Sequence, residues 1–242
     1  MLSVCLATHN GEKYIREQLV SILAQIDCQD EVVISDDGST DGTLQIIKSF
    51  DDSRIKVLSF DPMAVTTTFP LDKPTHNFEN ALLNAQGDII FLSDQDDVWV
   101  EGKVSAMIHA LENADLAVHD CTVTDEQLNP IADSYFGLVR VHQGVFLNII
   151  RATYLGCCMA MKREVVKAAL PFPQTKVGHD LWLGLVADMK FKTVLVNRSY
   201  LLYRKHSKSL TTSGQDSKYS LWFKLDYRLV IIKNVIKKKF GL

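Results

Sequence analysis

The sequence predicts an alternating α/β fold with a mostly parallel central sheet flanked by helices. Three observations predict it. Apolar strand-like runs alternate with stretches of helical period, the signature of βαβ crossovers. Three of those runs stop abruptly in polar or acidic clusters, at residues 8–10, 36–39 and 94–97. In a parallel sheet, such positions share the carboxyl edge where ligands bind. The composition of the 242 residues, 47% hydrophobic and 23% charged, is that of a globular chain that buries roughly 70–75% of its unfolded surface.

In chain order, Ser3 to Ala7 is a first apolar run, broken by the turn cluster Thr8-His9-Asn10-Gly11. Ile15, Leu19, Ile22, Leu23 and Ile26 then recur at helical spacing. Glu31 to Ser35 is the second strand, ending in Asp36-Asp37-Gly38-Ser39. Thr40 is placed to N-cap a helix carrying Leu44, Ile46 and Ile47. Arg54 to Leu58 is the third strand. Asp61 to Pro74 holds three prolines and reads as loop, and Phe78 to Ala85 as helix. Asp88 to Leu92 is a continuous apolar run typical of a strand buried on both faces. Beyond it, the pattern predicts a helix on Val104, Met107, Ile108 and Leu111, and a strand over Leu116 to Val118. Asp125 to Gly144 carries no clear period. Cys157 to Met161 reads as a strand, with a short helix from Arg163. Asp180 to Met189 reads as helix, and Thr193 to Val196 and Tyr200 to Tyr203 as a final pair of strands. A polar linker over Ser207 to Gln215 leads to an amphipathic helix, Tyr219 to Phe240. The domain division is therefore 1–210 for the α/β unit and 211–242 for linker and tail.

Charge and motif content exclude several function classes. A net charge of −3 argues against a nucleic-acid binder. Five cysteines with no Cys-x-x-Cys spacing argue against a disulfide framework or structural zinc, and point to a reducing compartment. No run reaches the length of a membrane span, and the first residues lack the basic start of a signal peptide. The expected location is cytoplasmic, at the inner face of the cytoplasmic membrane if the tail docks there. Gly102-Lys103 lacks the rest of a P-loop, and neither Gly-x-Gly-x-x-Gly nor Gly-x-Ser-x-Gly occurs.

Asp94-Gln95-Asp96-Asp97 carries the most chemistry. Three carboxylates in four residues repel one another, and partial burial makes the repulsion worse. A hard divalent cation, Mg²⁺ or Mn²⁺, relieves both and bridges phosphate oxygens. A solvated acidic turn is the plain alternative. The EF-hand reading fails, because Val98 and Trp99 stand where the loop needs a ligand and a glycine. A strand ending in Asp-x-Asp-x-Val also fits a haloacid-dehalogenase-like phosphatase with Asp94 as nucleophile. Asp36-Asp37-Gly38-Ser39 places carboxylates where they accept hydrogen bonds from a ribose or a pyrimidine, or simply forms a turn and cap.

Together these segments resemble the inverting family 2 glycosyltransferases of the GT-A fold. The resemblance rests on residues 3–10, 33–43 and 90–99, on His179-Asp180-Leu181-Trp182 and on Tyr203-Arg204-Lys205-His206, and covers roughly residues 1 to 210. It implies that Thr8, His9, Asn10 and Glu12 border the nucleotide, with Asp36 and Asp37 on base and ribose. It implies that Asp94 and Asp96 form the D-x-D pair on nucleotide and metal, with His206 as a further metal contact and Arg204 on the diphosphate. Asp180 matches the catalytic base, while Gly156, Cys157 and Trp182 fall on the acceptor side. Where the family usually has Tyr, this chain has His9, and the usual Glu before the base is His179.

The implied activity is metal-dependent, inverting transfer of a sugar from a nucleotide-diphosphate donor to a hydroxyl of a glycan or lipid-linked glycan, as in cell-surface polysaccharide biosynthesis. The Asp-Gln-Asp-Asp-Val-Trp and His-Asp variants resemble the branch that includes rhamnosyltransferases. A dTDP-sugar and a UDP-sugar both stay open as donor, and a non-catalytic nucleotide- or glycan-binding module stays open as a third reading. Leu221, Trp222, Leu225, Leu229, Ile232, Ile236 and Phe240 form one helical stripe in the tail. From Lys218 onward, seven Lys/Arg stand against a single acid, Asp226. A helix of this kind either lies in an anionic membrane interface or docks on the catalytic unit.

Overall fold

Strand β1 (Leu2–Thr8) is the axis of the molecule. It pairs in parallel with β2 (Glu31–Asp36) on one side and β4 (Ile89–Ser93) on the other, and β2 pairs in parallel with β3 (Ile55–Ser59). Val4, Cys5, Leu6, Val32, Val33 and Ile34 are fully buried, as expected of parallel strands covered on both faces. The computed structural model describes residues 1–61, 63, 65, 67, 69–206 and 220–241. Helices α1 (Ile15–Leu23), α2 (Thr43–Lys48) and α3 (Asp72–Asn84) follow the first three strands. Ile15, Leu19 and Ile22 face inward on α1, as their spacing predicts.

Beyond β4 the sheet becomes mixed. After β5 (Val98–Trp99) and α4 (Lys103–Leu111) come β6 (Leu116–Thr124), β7 (Pro130–Ala132), α5 (Tyr135–Val139) and α6 (Val145–Ile150). A 3-10 turn, Gly156–Cys158, leads into β8 (Met159–Lys162) and then α7 (Arg163–Ala169), α8 (His179–Lys190) and β9 (Thr193–Arg204). Strand β8 wedges antiparallel between β4 and β6, while β9 runs parallel to β6 and antiparallel to β5 at the edge. The order β3-β2-β1-β4-β8-β6-β9-β5, with β7 beside β6, joins both halves in one sheet.

Several boundaries differ from the sequence expectation, each for a local reason. Helix α3 starts at Asp72, not Phe78, because Pro74 sits in the first turn, where no intrahelical N–H is needed. Thr40 does not cap α2; Gly42 does, and Asp41 accepts from the Thr43 N–H at 3.0 Å. The two final strands are one, β9, whose register against β6 shifts around Asp120. Cys157 and Cys158 belong to the 3-10 turn rather than to a strand. The Ser207–Gln215 linker lies outside the described residues.

The tail forms α9 (Leu221–Phe240), capped by the Ser220 hydroxyl at its start and by left-handed Gly241 at its end. It packs against α6 and α8. Ile231 and Val235 are buried against the α/β unit, Phe223 and Tyr227 stack near Phe69, and Lys176 pairs with Asp226. Among the described residues, no helix is long and apolar enough to cross a membrane.

Candidate active site

The carboxyl ends of β1, β2 and β4 open into a cavity of about 620 Å³. The loop after β1 is tied to the loops after β2 and β4. The Thr8 hydroxyl and the His9 N–H donate to Gln95 Oε1, and Gln95 Nε2 donates back to the His9 carbonyl. The Asn10 N–H donates to Ser39 Oγ, and Asn10 Oδ1 accepts from the Thr40 N–H. Asn10 Nδ2 donates to His9 Nε2 at 3.0 Å, so the proton on the His9 ring sits on Nδ1 and goes to the Asp37 carbonyl at 2.6 Å. The His9 ring is thus fixed at both nitrogens on the cavity wall.

Asp37, Asp94, Asp96 and Asp180 all line this cavity, though they come from three separate stretches of chain. Burial, reinforced by the charges of Asp96 and Asp180, pushes the Asp94 carboxyl up to about 7. Burial likewise raises Asp37. Asp97 is 1% exposed; Oδ1 accepts from the Arg204 N–H at 3.0 Å, and among the described residues Oδ2 accepts no hydrogen bond. Ligand atoms of Asp94, Asp97 and Cys157 lie within 4.8 Å of one another. Asp96 Oδ2 stands 2.7 Å from His206 Nε2. Crowded, partly desolvated carboxylates are hard oxygen donors of the kind that suits Mg²⁺ or Mn²⁺, with the softer His206 imidazole beside Asp96.

Asp180 sits in the first turn of α8, and its Oδ1 accepts from the Leu181 N–H at 2.7 Å. It is not the cap of that helix; Gly178 is. The loop before α8 is held by α3. Asp72 accepts from Thr175 Oγ1 and the Lys176 N–H, Glu79 accepts from the Phe172 N–H, and His76 Nε2 faces the Gln174 carbonyl. His179 stacks on Phe78 at 4.0 Å, and burial lowers its pKa. Gly156 makes room for that ring, since a Cβ there would lie 2.6 Å from His179 Nε2.

Not every residue expected at the site faces it. Asp36 is buried, and both its oxygens hold the Ser39 turn, where Gly38 adopts φ 62. Glu12 points away and accepts from the Gly42 N–H. Trp182 lies in the core with its indole N–H on the Ala169 carbonyl, so it forms neither an acceptor surface nor an apolar wall for Asp180. Leu71, Pro74, Phe78 and Leu155 supply the apolar lining instead. Arg204 borders the cavity, but its guanidinium is spent on structure: Nε donates to the Asp96 carbonyl, Nη1 to the Glu126 carbonyl and Nη2 to Glu17. Thr8, His9, Asn10, Gly156, Cys157 and His206 all line the cavity.

Lys13, Tyr14, Gln95 and Glu126 are wall residues that sequence reasoning missed. Tyr14 lies between the His206 ring, stacked at 5.1 Å, and the Arg204 guanidinium at 4.8 Å, and its hydroxyl donates to Glu126. Lys13 pairs with the same Glu126. The available signal for Lys13 and Tyr14 was their place between the first strand and its helix, a βα loop on the ligand edge.

A parallel half-sheet of order β3-β2-β1-β4 whose carboxyl edge closes on an acid-lined cavity is the arrangement of a nucleotide-binding α/β fold. The chain belongs to glycosyl transferase family 2, whose family model matches residues 3–170. It is 37% identical over 238 residues to the dTDP-rhamnosyl transferase RfbG of Shigella flexneri, covering 95% of this chain and 79% of that protein. It is 22% identical over 215 residues to the UDP-Glc:alpha-D-GlcNAc-diphosphoundecaprenol beta-1,3-glucosyltransferase WfgD of Escherichia coli, covering 88% and 80%. The S. aureus TarS 1–349 structure with UDP-GlcNAc superposes at a TM-score of 0.70 and 21% identity, over 96% of this chain and 66% of that one. At that identity the likeness is one of fold. This family assignment supports the transferase reading over the phosphatase reading of Asp94.

Proposed function

We propose that this glycosyltransferase moves a sugar, with inversion, from a dTDP- or UDP-sugar to a hydroxyl of a lipid-linked glycan in cell-surface polysaccharide synthesis, within a catalytic unit spanning residues 1–210. The observation that carries the reading is the convergence of Asp37, Asp94, Asp96 and Asp180 on one cavity. RfbG is named for a dTDP-rhamnosyl donor and WfgD for a diphosphoundecaprenol-linked acceptor, and both names support the substrate classes.

In this reading Thr8, His9, Asn10 and Asp37 hold the nucleoside. Asp96, Asp94 and His206 hold Mg²⁺ or Mn²⁺, which when bound supplies positive charge against the diphosphate leaving group. Asp180 takes the proton of the acceptor hydroxyl as that oxygen bonds to the anomeric carbon. The bond from that carbon to the diphosphate oxygen breaks on the opposite face, and its electron pair leaves with the nucleoside diphosphate. A positioned base contributes ~10²–10⁴-fold to such a step. Gly156 and Cys157 border the acceptor side, and Arg204 keeps the Asp96 backbone in place rather than contacting phosphate. The inner face of the cytoplasmic membrane is the site of action that this acceptor implies.

Donor turnover by Asp180→Asn and Asp96→Ala tests both roles. Each variant is expected to lose at least ~10²-fold in rate. Asp180→Asn is expected to keep nucleotide-induced thermal stabilisation, whereas Asp96→Ala loses its Mn²⁺-dependent part. Wild-type rates in both variants would end the assignment. A panel of nucleoside diphosphates with and without Mn²⁺ then names the base, because a ligand selective for the native state raises its melting temperature.

A further inference from the structure

The apolar stripe of α9 is not the face that docks. Ile231 and Val235 are buried against the α/β unit, and Lys238 donates to the Leu170 carbonyl on that side. Trp222, Leu225, Leu229, Ile232, Ile236 and Phe240 are all exposed, Trp222 at 83% and Phe240 at 67%. With 3.6 residues per turn, these six occupy an arc of roughly 80° whose centre lies about 120° around the helix from that of Ile231 and Val235. A helix that only needed to pack on its domain would place its large apolar residues inward, and this one carries a second apolar face pointing away.

The flanks of that face are cationic. Lys233 and Lys237 lie along one margin and Lys239 along the other, all three exposed. Arg228 borders the same side as Lys239 and donates to the Ile150 carbonyl at 2.8 Å, which ties α9 to α6. Helix α6 leaves Phe146 and Ile150 exposed beside it. The one acid of α9, Asp226, is paired with Lys176.

We infer that the outward face of α9 is an interfacial docking surface for an anionic lipid bilayer. Apolar side chains with tryptophan and phenylalanine at the ends enter the headgroup–acyl boundary, and the lysine margins meet the lipid phosphates. The charge margins choose this occupant over a second copy of the chain, because pairing two such faces would bring like-charged lysine rows together. The inner face of the same helix packs on α8, whose first turn carries Asp180, and Asp226 pairs with Lys176 in the loop just before that turn. Docking by α9 therefore sets the acceptor side of the cleft beside the membrane plane. The link to catalysis rests on the lipid-linked acceptor proposed above; the surface itself does not.

Co-sedimentation of the full chain with phosphatidylcholine vesicles, pure or containing about a third phosphatidylglycerol, tests the surface. The protein is expected to partition at least ~10-fold more onto the anionic vesicles, with the preference falling as salt screens the lysine margins. Trp222 reports insertion as a blue shift in emission, since Trp99 and Trp182 are already buried. The triple variant Leu225→Ser, Leu229→Ser, Ile236→Ser is expected to stay in the supernatant at an unchanged melting temperature, because all three positions face solvent. Replacing Lys233, Lys237 and Lys239 by Gln is expected to erase the anionic preference. Equal or absent partition of the wild-type chain, undiminished binding by the triple variant, or a concentration-dependent Trp222 shift without lipid overturns the inference. Nucleotide stabilisation measured on the same preparations separates the two readings. Its presence without vesicle binding removes only the surface, and vesicle binding without it removes only the transferase substrates.

Discussion

Gly156 shows how one missing methyl group shapes the cleft. Its Cα faces the His179 ring so closely that a Cβ would lie 2.6 Å from Nε2 and 3.6 Å from the Asp180 Cβ. His179 has nowhere to retreat, since Phe78 stacks on it at 4.0 Å. Gly156→Ala should therefore push His179 and the first turn of α8 outward. The expected result is a loss of roughly 1–3 kcal/mol in stability, the usual cost of overpacking, with a larger fall in transfer rate as Asp180 is displaced. Chemical denaturation and donor turnover check both, and a variant as stable and active as wild type would mean the ring moves freely. Arg204 makes the complementary point. A basic residue next to a proposed diphosphate site reads from sequence as a ligand contact. In the folded chain its three nitrogens are turned to two carbonyls and Glu17. Residue type predicted the neighbourhood, and only geometry shows the job.

At the scale of elements, α3 acts as the splint for the loop that delivers Asp180. Three of its residues, Asp72, His76 and Glu79, reach residues 172–176. The His76–Glu79 pair gives this splint a pH dependence. The hydrogen bond to Glu79 raises the His76 pKa above 6.5, with the Gln174 carbonyl adding to the effect. The folded state thus favours protonated His76. That stabilisation is complete below the unfolded value of 6.5 and drains away as pH rises through the raised folded value. The melting-temperature advantage of wild type over His76→Gln should be larger at pH 6 than at pH 8.5. A constant difference across that range would show that the pair does not titrate there. Much of the element plan was legible: the parallel half β3-β2-β1-β4 follows from apolar runs interrupted by helical spacing. The start of α3 was not, because Pro74 reads as a breaker unless its first-turn position is known. The single strand β9 was not either, since exposed Asn197 and Arg198 interrupt an otherwise continuous run.

On the scale of the whole molecule, the sheet order brings three distant stretches of sequence to one cavity. The parallel half contributes Asp37, Asp94 and Asp96, while Asp180 arrives from α8, beyond the mixed half of the sheet. The acidic clusters were legible because crowded carboxylates at a strand end repel one another, a cost that a bound cation offsets, though Asp36 serves only its own turn. Glu126 was not, since it lies in the stretch of 125–144 that lacks any period, and its place in the wall depends on Lys13 and Tyr14 reaching it across the fold. Crowding of this kind makes ligand binding cooperative. In the proposed site a divalent cation would offset the burial and the repulsion that raise Asp94, and a nucleoside diphosphate would bring phosphate oxygens to that cation. By linkage, each ligand must then raise the affinity for the other by the same factor. With chelator present, nucleoside diphosphate alone should move the melting temperature little. With Mn²⁺ in excess, the same nucleotide at about 100 times its Kd should add ~2.7 kcal/mol, a rise of about 5–10 °C for a chain of this size. Asp96→Ala should abolish the coupling while its metal-free melting temperature stays near that of the wild type, because removing one of several crowded carboxylates relieves repulsion. Identical shifts with and without Mn²⁺ would separate the nucleotide from the metal and break the proposed site into two.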